Sequence, residues 1–220
     1  MRKIFCLVII CLSVFLFCGC SSAMENLVLE NMSDLRTTYF EGENETFWAN
    51  LCCGKREQIF AYDGISTNKV SCGVLSVHLK TANSYSAIAV VLNIDSKTAE
   101  YQLERSPFED LFMVDLEMLV EKESSVSIAL KNSTDFCTLN CLSKNWKVDY
   151  KLAVQMAVSY FKDDLKNLYF NGKLNAECYL KVVSKPDYDE KYWYFSYVDR
   201  AQKSKSALID VNSKRIVANK

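Results

Sequence analysis

The sequence predicts an α+β protein. An N-terminal antiparallel, β-sandwich-like part spans residues 34–145. One long amphipathic helix packed on a small antiparallel sheet follows over 146–220. Three observations predict this. Apolar residues alternate with polar ones from Leu35 to Leu142, with turn signals at short intervals. The period then changes to that of a helix between Tyr150 and Leu168. Four short apolar runs come after it, and a helix with one apolar stripe needs a surface on which to bury that stripe.

In the first part, Leu35, Thr37 and Tyr39 alternate with Arg36, Thr38 and Phe40. The Gly42-Glu43-Asn44 turn leads into Phe47, Ala49, Leu51 and Cys53, which completes a hairpin. Ile59 to Tyr62 reads as a short strand stopped by Asp63-Gly64. Val70 to Leu79 is a strand with a bulge expected at Gly73. Ala87 to Ile94 is apolar almost throughout, which predicts a central strand buried on both faces. Asp95-Ser96-Lys97 turns it back into Glu100 to Glu104. Leu111 to Val120 suits a strand or a helix. Ser125 to Leu130 and Phe136 to Leu142 complete a set of short strands typical of a two-layer sandwich.

In the second part, Asp149 is placed to cap a helix of about five turns. Tyr150, Ala153, Val154, Ala157, Val158, Phe161, Leu165 and Leu168 form its apolar stripe. Asn171-Gly172 is expected to end it. The strands that should receive the stripe are Ala176 to Val183, Tyr192 to Val198, Ala207 to Val211 and Arg215 to Val217.

The start of the chain carries an address. Arg2 and Lys3 precede an apolar run from Ile4 to Phe17, which is shorter than the roughly 20 residues of a spanning helix. Gly19-Cys20 closes the run, and Ser21-Ser22 follows. This segment resembles the lipobox signal of bacterial lipoproteins. The resemblance implies a signal peptide over 1–19, lipid attachment at Cys20 and a tether over 20–33. The implied partner is the lipid bilayer at the outer face of the cell membrane, reached through acylated Cys20. Anchoring by more than one acyl chain is stable, whereas one chain holds only marginally.

The order helix, strand, long loop, strand, strand, closing on Leu208 to Val217, is similar to the closing half of a PepSY-type domain. Ser213 and Lys214 stand where that family has glycine in the turn. The resemblance implies an exported interaction or regulatory module and brings no catalytic residue.

Half of the residues are apolar, and there are only 2 Pro and 6 Gly, so the chain has a folded core. Arg2 and Lys3 are the only charges in residues 1–19. Without them the 26 basic residues fall to 24 against 27 acidic ones, a net of −3. No basic field exists to draw in nucleic acid. His78 is the single histidine and falls on the polar phase of its strand. No G-x-S-x-G, H-E-x-x-H or glycine-rich phosphate loop occurs. Asp187-Tyr188-Asp189-Glu190 lacks the ligand order of a calcium loop.

Cys52, Cys53, Cys72, Cys137, Cys141 and Cys178 follow Cys20 and admit 15 pairings. They are expected to be mostly free and buried. Cys137 and Cys141, four apart in a strand, stand roughly 13 Å apart, beyond bridging reach. Cys72 with Cys52 or Cys53 is the pairing best placed to bridge. Their spacing matches no zinc site, and no cofactor or metal is implied.

The sequence therefore points to an extracytoplasmic lipoprotein without enzymatic activity that binds a protein or a cell-wall component. The rival is an anchored hydrolase using carboxylates in a cleft between the two parts. The aromatic run Tyr192, Trp193, Tyr194, Phe195, Ser196, Tyr197 is the expected binding surface. Tyr192, Tyr194 and Ser196 face one way and Trp193, Phe195 and Tyr197 the other; one set would lie under the helix and the other would be open to ligand, with Tyr192, Trp193, Tyr194 and Tyr197 as the candidate residues.

Overall fold

The computed structural model describes residues 23–58, 67–134, 136–184, 186 and 189–219. Cys20, the Ile59–Tyr62 strand, the Asp63-Gly64 turn, and Asp187 and Tyr188 of the acidic loop lie outside the described residues.

The first part is a closed barrel and not a sandwich. Its strands are β1 (Met32–Glu43), β2 (Phe47–Glu57), β3 (Lys69–Leu79), β4 (Ala87–Ile94), β5 (Lys97–Arg105), β6 (Phe112–Leu116), β7 (Val126–Leu130) and β8 (Phe136–Cys141). They pair in the order β1-β2-β3-β6-β5-β4-β7-β8, and β8 returns to β1. Every neighbour in the ring is antiparallel. A sandwich and a barrel share the same alternation of apolar and polar residues. The pairing of Phe40 with Cys141 and Glu41 with Asn140 decides between them, because it joins the last strand to the first.

The barrel is filled by its own side chains, as expected for eight strands. Phe40, Phe47, Leu51, Leu75, Leu103 and Phe112 are among the residues fully buried inside it. Glu100, Gln102 and Glu104 of β5 are exposed outside it. A barrel facing lipid has the reverse arrangement. Among the described residues no helix is long and apolar enough to cross a membrane.

Several local expectations change with this topology. Ala87–Ile94 is buried on one face only, at Val90 and Leu92, because its other face is the outside of the barrel. Gly73 is not a bulge. It pairs in register with Cys53, and a Cβ there would lie 3.1 Å from the Cys53 sulfur. Leu111–Val120 resolves into the short strand β6. Asp95 and Ser96 do form the β4–β5 turn, both at positive φ, which suits the twist of a two-residue hairpin.

β1 forks. Met32–Leu35 pairs in parallel with β11 (Ala176–Val183), whereas Phe40 and Glu41 pair with β8. In the fork the Tyr39 N–H donates to the Ser143 hydroxyl at 3.0 Å, from a single 3-10 turn over Leu142–Lys144. That side chain replaces the strand partner that Tyr39 lacks there. A register shift in β1 between Arg36 and Thr38 lies against Gly54 of β2. A Cβ on Gly54 would meet the Leu35 carbonyl oxygen at 1.9 Å and Arg36 Cα at 2.8 Å. Gly54→Ala is therefore expected to cost about 1–3 kcal/mol, measured as a shift in the urea midpoint. Gly73→Ala, whose tightest contact is the Cys53 sulfur at 3.1 Å with Leu51 and Leu116 at ordinary contact distance, should cost less.

Beyond β11 the sheet continues through β12 (Tyr192–Asp199), β13 (Ser204–Asp210) and β14 (Ile216–Asn219), giving twelve strands in one sheet. Three helices cover one face of this extension: α1 (residues 23–30), α2 (Tyr150–Tyr160) and α3 (Lys162–Leu168). Asp149 caps α2 by accepting from the Leu152 N–H at 2.8 Å. The single long helix expected from the periodicity is broken at Phe161, which has φ −95° and ψ 23°. Its ring stacks on Phe195 at 6.0 Å and meets the edge of Tyr197 at 5.5 Å. The break seats that ring in the core. Asn171 and Gly172 do not cap a helix. They turn the two-residue strands β9 (Tyr169–Phe170) and β10 (Lys173–Leu174), both at positive φ.

Candidate functional site

The aromatic run divides as strand alternation requires: the set with Trp193 lies under the helices, and the set with Tyr192 and Tyr194 is the less buried one. Trp193 and Tyr197 are buried in the helix-covered core and are not open to ligand. The Trp193 indole donates to the Val148 carbonyl at 2.8 Å, and its ring meets Trp146 edge-on at 5.2 Å. Tyr192 and Tyr194 are half-buried and stand on the opposite face with Ser196. Tyr194 lines a shallow depression of about 310 Å³ with Tyr179, Lys181 and Gln202.

Lys181 also lines a larger groove of about 380 Å³. This groove runs along the outward face of β1, β2 and β3, between the free end of β11 and the β5–β6 connection. It sits where the barrel and the sheet extension part. Outward positions of a barrel are normally solvated. Here they are covered from one side by β11 and from the other by Glu109 and Leu111.

One end of the groove is charged. Asp34 and Arg36 are nearly fully buried, and the guanidinium grips both carboxylate oxygens, with Nε at 2.7 Å and an Nη at 3.1 Å. The other Nη donates to the Cys52 carbonyl at 3.2 Å. Burial, the largest single effect, lowers the Arg36 pKa, but the charge and hydrogen bond of Asp34 together with the nearby Cys52 and Cys72 outweigh it, and the net shift is upward. Lys181 Nζ lies 3.6 Å from Asp34 and also stands over the Tyr179 ring. Arg56, across from Asp34 on β2, reaches Asp115 at 3.0 Å.

The middle of the floor is polar and uncharged. Asn50 and Ser76 face each other across β2 and β3, are 8% and 4% exposed, and both line the groove. Neither side chain makes a hydrogen bond to any described residue, and neither is among those whose polar atoms are sealed from solvent without a partner. Sequence reasoning missed this pair. Polar residues at alternate strand positions look like ordinary solvent-facing ones, and no sequence signal marks the chain that covers them.

Beside the floor, a second network ties the barrel to the extension. The Tyr39 hydroxyl donates to Glu41 and lies 2.7 Å from the Ser184 hydroxyl. Lys191, itself buried, meets Glu41 at 3.2 Å. Burial, with Glu41 beside it, pushes the Tyr39 pKa far up. The Tyr39 ring stacks on Trp146 at 5.6 Å, so a line of aromatic contacts runs from the groove to Trp193.

Chemically, the groove is suited to holding a molecule. Of the two carboxylates that line the groove, Asp34 is engaged by Arg36 and Lys181, and Glu109 stands on the β5–β6 connection. Burial pushes the Cys52 thiol up to about 12, which Arg36 only partly opposes, so it is protonated at neutral pH and a poor nucleophile. His78 stands on the outward face of β3, 3.6 Å from Asp110. Among the described residues no group of three or more His, Cys, Asp or Glu side chains is arranged to hold a metal ion.

All six cysteines after Cys20 are free thiols. The register explains why Cys72 does not bridge to its neighbours. It faces Gly54, whereas Cys52 faces Val74 and Cys53 faces Gly73. Cys72 is thus diagonal to Cys52, at a spacing of roughly 7–8 Å that no bridge spans. Burial also raises Cys53, to about 11, and Cys72, Cys137 and Cys178 move in the same direction. An acid whose folded pKa exceeds its unfolded value stabilises the fold below the unfolded value and loses that contribution above it. Stability is therefore expected to fall as pH climbs from 9 toward 12. Urea midpoints at about pH 8 and about pH 10.5 check this. In the same samples a thiol reagent should modify the cysteines slowly until urea is added.

No family model, curated protein or solved structure matches the chain.

Proposed function

We propose that the protein is a non-enzymatic binding module tethered to the outer face of a bacterial cell membrane by acylated Cys20, and that its ligand surface is the groove on the outward side of β1–β3. The observation that carries the binding reading is the pair Asn50 and Ser76. Neither is among the side chains whose polar atoms are sealed off without a partner; both line the groove and offer it donors and acceptors side by side. A ligand that bonds both would take the place of water on the groove floor. In this reading the buried Asp34–Arg36 pair shapes the end of the groove, with the carboxylate as counter-ion and not as a catalytic acid. The ligand is a protein segment or a cell-wall component presented close to the membrane.

The tether rests on Gly19-Cys20 and the apolar run before it. Cys20→Ala is expected to abolish incorporation of labelled fatty acid and to release the protein into the medium. Full retention in the membrane fraction, with no loss of label, would remove this part of the proposal.

A further inference from the structure

We infer that the β9–β10 hairpin and the exposed side of α3 rest on the bilayer surface, with the Phe170 ring among the lipid headgroups and Lys162, Lys166 and Lys173 facing anionic ones. Such docking goes beyond the groove, and it rests on the acylation of Cys20 proposed above.

The folded body starts close to that anchor. Cys20 stands three residues before α1, and three residues of extended chain reach about 11 Å at most. α1 adds about 12 Å, so Glu30 is within about 23 Å of Cys20 whichever way the helix points. Val28 of α1 is buried in the helix-covered core. Just past its end, the Asn31 carbonyl accepts from the Cys178 N–H of β11 at 2.8 Å. β10 runs into β11 through Asn175 alone, so the hairpin stands at this same end of the sheet. β1 and β11 run in parallel away from it. The β5–β6 connection, which carries Phe108, lies at the other end. Arg105 and Phe112, on either side of that connection, pair back through Val77 and Ala49 to Gly42, near the far end of β1.

The hairpin is built to hold an aromatic ring in the open. Two strands of two residues do not stand alone. Leu174 pins this pair to the core, and Asn175 donates to the Leu168 carbonyl from its backbone N–H at 2.9 Å and from its side chain at 3.2 Å. Phe170 and Lys173 are cross-strand partners and therefore share the outward face. Phe170 is 67% exposed, and Tyr169 beside it is exposed as well. Aromatic rings next to lysines are the composition of elements that lie at the headgroup level of a bilayer.

The charge of the same surface suits anionic lipid. Lys162, Lys166 and Lys173 are all exposed, and Lys162 and Lys166 stand one turn apart on one side of α3. Against them the stretch carries Asp163 and Asp164, and Asp164 is already bridged to Lys205 at 2.7 Å. Cations held near an anionic bilayer are drawn to it over about a Debye length.

The test is depth-dependent quenching of an indole placed at the hairpin. The protein is isolated from the membrane fraction of expressing cells and reconstituted into vesicles of phosphatidylcholine and phosphatidylglycerol with brominated acyl chains, which quench tryptophan. The parent, Phe170→Trp and Phe108→Trp are compared. Both substituted side chains are largely exposed, so neither change disturbs the core, and the parent's buried Trp48 and Trp193 keep the background low. Phe170→Trp is expected to emit to the blue of Phe108→Trp and to lose most of its added emission to bromine, whereas Phe108→Trp keeps its own. Adding Lys162→Gln, Lys166→Gln and Lys173→Gln to Phe170→Trp should weaken the quenching.

If all forms float with the vesicles and Phe170→Trp is quenched no more than Phe108→Trp, the docking inference fails and the tether stands. If quenching is unaltered by the three lysine changes, the role given to the cations fails. If none of the forms floats with the vesicles, the tether falls and the docking with it.

Discussion

Arg36→Ala is expected to be among the most damaging single changes in the protein, at about 3–5 kcal/mol. The guanidinium is 6% exposed and grips an Asp34 carboxylate that is 3% exposed. Taking it away leaves a buried anion facing only Lys181, which is 3.6 Å distant and far more open to water. The bond to the Cys52 carbonyl goes as well, at the point where β1 shifts register and changes partners. Urea denaturation of purified variants reads the loss directly. A second measurement separates loss of the charge pair from loss of packing. Replacing both partners by apolar residues of similar volume, Asp34→Leu with Arg36→Met, should recover most of the stability, since a buried ion pair is often worth no more than an apolar one. If Arg36→Ala melts within 1 °C of the parent (about 0.25–0.5 kcal/mol), the pair is not buried as described.

Trp193→Ala is the second, at about 3–5 kcal/mol. The ring is 1% exposed, packs perpendicular to Trp146, and holds the Val148 carbonyl through its indole N–H. Removal opens a cavity between β12 and α2 and leaves that carbonyl without its donor. Tyr194→Ala, one residue along and on the other face, should cost much less because its side chain is only half-buried. A ligand surface at Trp193 would show the opposite pattern, with binding lost and stability kept. Comparing the two variants by thermal melting therefore decides between a core position and a surface one.

The contrast between these neighbours shows where sequence reasoning reaches. Alternation separates Trp193 from Tyr194 without any structure, because successive side chains on a strand point to opposite faces. It does not say which face the helices take or how wet the other remains. The helical stripe from Tyr150 to Leu168 is equally legible, and so is the Asp149 cap. The break at Phe161 is not, because no glycine or proline announces it. It answers to the Phe195 and Tyr197 rings that the aromatic side chain meets, and both belong to a strand more than thirty residues away.

Asn50 and Ser76 mark a similar boundary for the site. Each sits at a polar phase of its strand, where a polar residue needs no explanation. What makes them notable is the chain that folds over them, and that chain comes from the end of β11 and the β5–β6 connection. Asp34 and Arg36 read in sequence as two exposed charges at i and i+2. Their burial follows from the fork in β1, and no local pattern encodes a fork.

By itself the sequence determined the strands, most of their turns, the capped start of the helical segment and the absence of a basic field for nucleic acid. These follow from side-chain period, backbone preference and net charge, which act over a few residues or over the whole chain. Only the tertiary structure decided that the first eight strands close into a barrel, that β1 pairs with β2, β8 and β11, and that a groove forms where the barrel and the sheet extension part. Those features depend on hydrogen bonds between strands a hundred or more residues apart, such as Phe40 with Cys141, and the free energy of such a pairing is written in neither partner alone.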